Sequence, residues 1–173
     1  MQTEAGVGSE INVDAIARAF TIGEDRKFDE DPRFGLIVLS QIGSRALSPA
    51  VNDPGTAIDL LGTFIRLFFM WCAPADGGEQ KAPSYDRVTV PELSIDDMFD
   101  DAFTAIARDG AGIVEVAVRL QKALRALSAS GHAGMEQAAR RHSRLAFARA
   151  EHALTLPEDL EAVRRHARPG DGA

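Results

Sequence analysis

The sequence predicts an all-α fold: a bundle of six to seven helices with at most one short β segment near residues 86–91. Three observations predict it. Apolar residues recur at helical spacing in most segments. Helix-start signals stand ahead of three of them, Asp-Pro twice and Ser-x-x-Asp once. Only Arg87-Val88-Thr89-Val90 alternates as a strand would, and it has no obvious pairing partner. The 173 residues are one domain's length. A chain of this size buries roughly 70% of its unfolded surface. Residues 1–10 are expected to be a flexible leader, 11–168 a single helical domain and 169–173 a disordered tail.

The first helix is expected from Asn12 to about Thr21, with Val13, Ile16, Ala17 and Phe20 on one apolar face. Asp31-Pro32 opens the second. Asp suits the N-cap, where its carboxylate accepts a free backbone N–H, and Pro suits the first helical position, where no donor is needed. That helix should run to about Leu47, with Phe34, Ile37, Val38 and Ile42 inward. Gln41, Ser44, Arg45 and Ser48 form its polar stripe, and Pro49 stops it. Asp53-Pro54 repeats the start signal for a third helix reaching about Cys72. Its only polar interruptions are Asp59, Thr63 and Arg66, so it is expected to be the central core helix. Any part the monomer leaves uncovered would be an oligomer interface.

Ser94 with Asp97 three residues on starts a fourth helix, which runs to Arg108 before Gly110 and Gly112. A fifth spans Ile113 to about Ser128, with Ile113, Ala117, Leu120, Leu124 and Leu127 inward. A sixth, rich in Ala and Arg, covers about Ala133–Ala153, and Pro157 opens a last short one.

Composition narrows the function. Lys+Arg number 19 against 26 Asp+Glu, a net charge of -7. So acidic a chain is a poor general binder of nucleic acid or anionic lipid, and no nucleic-acid partner is expected. A lone cysteine, Cys72, forms no internal disulfide and suits a reducing compartment. The longest apolar run, Phe64–Cys72, is broken by Arg66 and falls short of the about 20 apolar residues of a membrane span. No basic-then-apolar leader marks a secretory signal.

The densest polar segment is Arg45-Ala46-Leu47-Ser48-Pro49-Ala50-Val51-Asn52-Asp53-Pro54-Gly55-Thr56-Ala57. It joins a helix end to a helix start. A helix N-terminus offers free N–H groups and a positive dipole end, and Arg45 adds a bidentate donor, so a small anionic ligand is one expectation. The other is that Ser48, Asn52, Asp53 and Thr56 are turn and cap residues, with Arg45 paired to Asp53 or Asp31.

Asp96, Asp97, Asp100 and Asp101 crowd the first turns of the fourth helix. Oxygen ligands suit a hard cation, but dipole complementarity explains them as well, and no metal is expected. The four histidines, His132, His142, His152 and His166, form no metal-ligand pair and are expected at the surface. Arg140, Arg141 and Arg144 make a basic patch where a phosphate or an acidic partner could bind, unless it pairs with the acidic helices or is a solvated face. No nucleophile elbow or phosphate-binding glycine loop occurs, so the residues name no reaction and no cofactor is expected. Cys72, in an apolar run, reads as an inert thiol.

One segment is distinctive. Arg26, Asp31, Phe34 and Gly35 are followed by Arg45-Ala46-Leu47-Ser48-Pro49 and then Asn52-Asp53-Pro54-Gly55-Thr56-Ala57. This resembles the soluble C-terminal part of a bacterial family of predicted membrane proteins, domain of unknown function 2254. Lys27, Glu30 and Gln41 depart from the family pattern, where Thr, Gln and often an acid stand. The resemblance implies transmembrane helices upstream of an excised soluble part, and it assigns no catalytic residue. It implies membrane association through that upstream part, on the cytoplasmic side of a bacterial inner membrane. Assembly into a homo-oligomer or sensing of a small anionic ligand would be its role. The candidate ligand-binding residues are Arg26, Asp31, Arg45, Ser48, Asn52, Asp53 and Thr56. The alternative is an enzyme or a metal- or anion-binding domain, with Arg45, Asp31, Asn52 and Asp53 in one cleft around a small anionic or metal-bound substrate.

Overall fold

The computed structural model describes residues 13–19, 28, 31–73 and 91–167. They form seven helices: α1 (Val13–Ala19), α2 (Pro32–Ala46), α3 (Pro54–Cys72), α4 (Ile95–Asp109), α5 (Val114–Ser128), α6 (Ala133–Ala153) and α7 (Pro157–Ala167). The fold is all-α, with no strand among the described residues. The expected β segment near 86–91 lies almost wholly outside them, as do the leader and the tail.

Local chemistry sets the helix ends. Asp31 caps α2, its carboxylate accepting the Phe34 N–H at 2.9 Å, with Pro32 in the first turn. Asp53 does the same for α3 through Thr56. Ser94 caps α4, its hydroxyl accepting the Asp97 N–H at 3.3 Å. At α6 the cap is His132, whose Nδ1 accepts the Met135 N–H.

Cross-helix contacts fix the directions. Arg33 meets Asp97 and Asp101, and Ser44 donates to Asp109, so α2 and α4 run parallel. Helix α6 lies on the other side of α4, and Gln121 of α5 bonds Ser143 of α6 twice. Helix α7 folds back onto α5 and α6. The centre is aromatic. Phe64 and Phe68 of α3 meet Phe99 and Phe103 of α4 at ring separations of 4.3–5.8 Å. Phe99 and Phe103 in turn touch the His142 ring of α6. Each of the four phenylalanines is 0–1% exposed. Burying such a side chain stabilises the fold by about 1.5–3 kcal/mol.

Three packing expectations need correction. Helix α2 turns inward Leu36, Ser40 and Gly43, with Ala46 and the cap residue Leu47, while Ile37 and Val38 are half-buried and Ile42 is exposed. The reason is close approach: a Cβ on Gly43 would lie 2.8 Å from Ile106 Cδ1 and 3.2 Å from Leu60 Cδ1. A bulky face cannot come so near. Helix α3 is not a buried rod. Ala57, Leu61, Phe64 and Phe68 face the core, but Leu67, Phe69, Met70 and Trp71 are exposed. It is also the one helix among the described residues long and apolar enough to cross a membrane, by length and composition only. Val13 and Ala17 of α1 are exposed rather than packed.

Candidate functional site

The Arg45–Thr56 segment is a tight junction. Helix α2 ends with the Leu47 N–H bonded to Gly43 O and the Ser48 N–H to Arg45 O. The chain then turns on Ser48 O, which accepts from both the Val51 and Asn52 N–H groups. Asn52 sits at φ 49, the left-handed region that Asn tolerates better than most residues. The Asp53 N–H closes the turn onto Ala46 O at 2.8 Å. Asp53 then caps α3, accepting the Thr56 N–H at 3.2 Å and the Thr56 hydroxyl at 2.5 Å. The two Thr56 hydrogen bonds, the hydroxyl's first, hold the Asp53 carboxyl below the usual carboxylate range. Part of the N-terminal donor set of α3 is thus already satisfied from within. Arg45 is exposed, and its guanidinium makes no ion pair or hydrogen bond with a described residue.

The candidate residues fall into separate places. Ser48, Asn52, Asp53 and Thr56 come together with Arg45 at the C-terminal end of α2. Asp31 caps the opposite end of that helix, about 20 Å away at 1.5 Å per residue. Arg45 therefore pairs with neither Asp31 nor Asp53, and a single cleft holding Arg45, Asp31, Asn52 and Asp53 is not what the fold builds. Arg26 lies outside the described residues.

The α4 acids prove to be two clamps. Their i, i+4 spacing puts Asp97 and Asp101 on one face and Asp96 and Asp100 on another. The first pair holds Arg33 of α2, with Nε 2.6 Å from Asp101 and Nη1 2.9 Å from Asp97. The second pair holds Arg141 of α6, at 3.0 Å from Asp100 and 3.5 Å from Asp96. No three potential metal ligands gather among the described residues.

His142 corrects the expectation of surface histidines. It is 2% exposed, with Nε2 3.1 Å from Asp100 Oδ1. Burial, then the Arg141 charge, lowers its pKa despite Asp100. The same Nε2 lies 3.3 Å from Arg141 Nη2, so Asp100 and Arg141 both face that nitrogen. Burial likewise pushes the Cys72 thiol up, away from a reactive thiolate.

Arg140 and Arg144 of the basic patch border a polar hollow together with Asp96 of α4 and Glu136. With Arg125 and Ser128 of α5 and His166 of α7 they line a cavity of about 220 Å³ floored by Leu124, Ala139 and Ala167. Sequence reasoning missed this cavity, because the packing of α7 on α5 leaves no periodic signal that pairs His166 with Arg125.

Comparison with known proteins finds relatives over part of the chain. An uncharacterized protein of Mycobacterium tuberculosis and one of Mycobacterium bovis are each 52% identical to this chain over 40 residues. That stretch is 23% of this chain and 8% of each relative. No solved structure matches. A family described as "Predicted membrane protein (DUF2254)" matches residues 2–126, which takes in α1 to α5 up to Ala126. The chain belongs to that family of predicted membrane proteins.

Proposed function

We propose that this chain is a water-facing assembly module of its membrane protein, on the cytoplasmic side of a bacterial inner membrane, and that it pairs with a second copy through the end of α3. The observation that carries this is the exposed apolar surface on the last two turns of α3. Leu67, Phe69, Met70 and Trp71 are 38%, 43%, 74% and 46% exposed. Contiguous apolar exposure of this kind marks interaction surfaces. A helix end laid on its two-fold mate uses the same residues on both sides, so no other partner chemistry is needed. Aromatic and Met side chains supply much of the energy in such contacts. The lone cysteine supports a reducing compartment.

The test is light scattering over a range of concentrations, with Met70→Glu/Trp71→Glu beside the parent. The parent is expected to gain mass with concentration, and the variant to stay at 18.6 kDa with unchanged helicity. A parent that stays monomeric throughout would overturn the reading. So would a monomeric parent that binds neutral phosphatidylcholine vesicles through Trp71.

A second reading keeps the small anionic ligand at the junction, through Arg45 and the start of α3. The exposed Arg45 guanidinium, with no partner among the described residues, favours it; the capping carboxylate of Asp53 opposes it. Thermal shift against phosphorylated metabolites, with Arg45→Ala as control, separates the two.

A further inference from the structure

The cavity between α5, α6 and α7 is independent of both α3 and the junction. Arg125, Arg140, Arg144 and His166 line it, and no carboxylate does. In a chain with net charge -7 three guanidinium groups around one cavity are not an average surface. Arg125 and Arg144 have no ion-pair partner among the described residues, and Arg140 has only Glu136 at 3.9 Å. Arg141, one residue from Arg140, shows the contrast: it is taken up by Asp96 and Asp100. Arg140 and Arg144 lie one helical turn apart on one face of α6, and both line the cavity.

The C-terminal end of α5, which would repel an anion, is partly neutralised. Ala126 O and Leu127 O accept from Ala129 and Ser130, and Arg125 O accepts the Ser128 hydroxyl. The floor of Leu124, Ala139 and Ala167 is apolar. Lys122 and Arg165 stand close enough to help hold the His166 pKa down, after burial, so the positive field extends past the lining. The volume of about 220 Å³ is many times the roughly 10–15 Å³ that a single water needs by the same measure. That is room for a phosphate group and a short organic substituent. Three guanidinium groups and an imidazole suit a compact dianion better than a carboxylate.

We propose that this cleft binds a phosphate monoester, its dianion held by Arg125, Arg140 and Arg144 and its organic part lying on Leu124, Ala139 and Ala167. The phosphate comes either from a free phosphorylated metabolite or from a lipid headgroup.

The experiment uses the whole chain and two probes. Glycerol 3-phosphate is titrated by calorimetry. Sedimentation follows binding to phosphatidylcholine vesicles with and without phosphatidic acid. Arg144→Gln and Arg125→Gln are compared with Arg119→Gln, a cation on α5 outside the cavity. Saturable binding that weakens roughly tenfold in Arg144→Gln and Arg125→Gln, and not in Arg119→Gln, supports the site. Binding of glycerol 3-phosphate assigns the free source. Binding only to phosphatidic acid vesicles, with the same variant pattern, assigns the headgroup. Binding of neither probe overturns the proposal, as does equal weakening by all three variants, which would mean diffuse charge alone. All three residues are exposed, so loss of fold is checked by circular dichroism and does not confuse the result.

Discussion

Arg33 and Asp101 lie 68 residues apart in sequence and meet at 2.6 Å, Nε to Oδ2, with Nη2 completing a second bond at 3.3 Å. The pair ties the start of α2 to the start of α4, and Asp97 adds a third contact. The bond to Asp101 raises the Arg33 pKa further. The Arg33 side chain is 35% exposed and that of Asp101 15%, so solvent screens much of the attraction. A double-mutant cycle of Arg33→Ala and Asp101→Ala, read by urea unfolding, should give a coupling of roughly 0.5–1 kcal/mol that shrinks with added salt. Zero coupling would mean that the Arg33–Asp101 pair does not help hold α2 against α4.

His142 carries a pH signature. The charged groups facing it are Arg141, Asp100 and Arg149, together with the Phe99 and Phe103 rings. Its folded pKa is depressed below 6.5, so near that pH the unfolded chain binds the extra proton. Unfolding free energy then rises with pH. The contribution is complete above the unfolded value and is lost as pH falls towards the folded one. Urea unfolding across this window should show the slope in the parent and a shallower one in His142→Gln. His166 is also depressed, so it leaves a residual slope in both proteins. Equal slopes would show that His142 protonates without cost.

Helix ends were legible because capping is local. Asp31, Asp53 and Ser94 each act within three residues of where they stand. Faces were less legible. In α3 nearly every residue is apolar, so periodicity cannot say that Phe64 and Phe68 face in while Phe69 and Met70 face out. In α2 the buried stripe includes Ser40 and Gly43, which hydrophobic patterning discounts. The junction's residues were legible as caps, but the length of α2 separates Asp31 from Arg45, a fact of geometry rather than of motif. His142 and the α5–α7 cavity depend on contacts between distant segments.

Glycines test the close approaches. Gly43→Ala would set a methyl 2.8 Å from Ile106 Cδ1 and 3.1 Å from its Cγ1. Overpacking costs about 1–3 kcal/mol, against a helix-propensity gain of at most about 1 kcal/mol. A net loss of about 1 kcal/mol is expected. Gly110→Ala should cost more, because its methyl would meet Val116 Cγ1 at 2.5 Å and the backbone Ile106 O at 2.9 Å. Gly134→Ala meets nothing closer than 3.4 Å and should be neutral or stabilising. Chemical denaturation of the three variants checks the order; equal effects would contradict the packing.

Asp53 decides what the junction does. Its carboxyl is depressed below 3.8 by Thr56, so its stabilisation is present above the unfolded pKa and is lost as pH falls through the folded one. The melting temperature of the parent should fall faster than that of Asp53→Asn as pH drops from about 5 to about 2. Asp109, also depressed by Arg108 and Ser44, contributes equally to both and cancels in the comparison. Thr56→Val should lower the parent's melting temperature by removing the hydroxyl bond. Arg45→Ala should leave it unchanged, since that guanidinium holds no described partner. A cap that stabilises while Arg45 does not makes the two separable: any ligand effect lost in Arg45→Ala is then binding, not folding. If instead Arg45→Ala melts as low as Asp53→Asn, Arg45 belongs to the junction's own structure and the anion reading there falls.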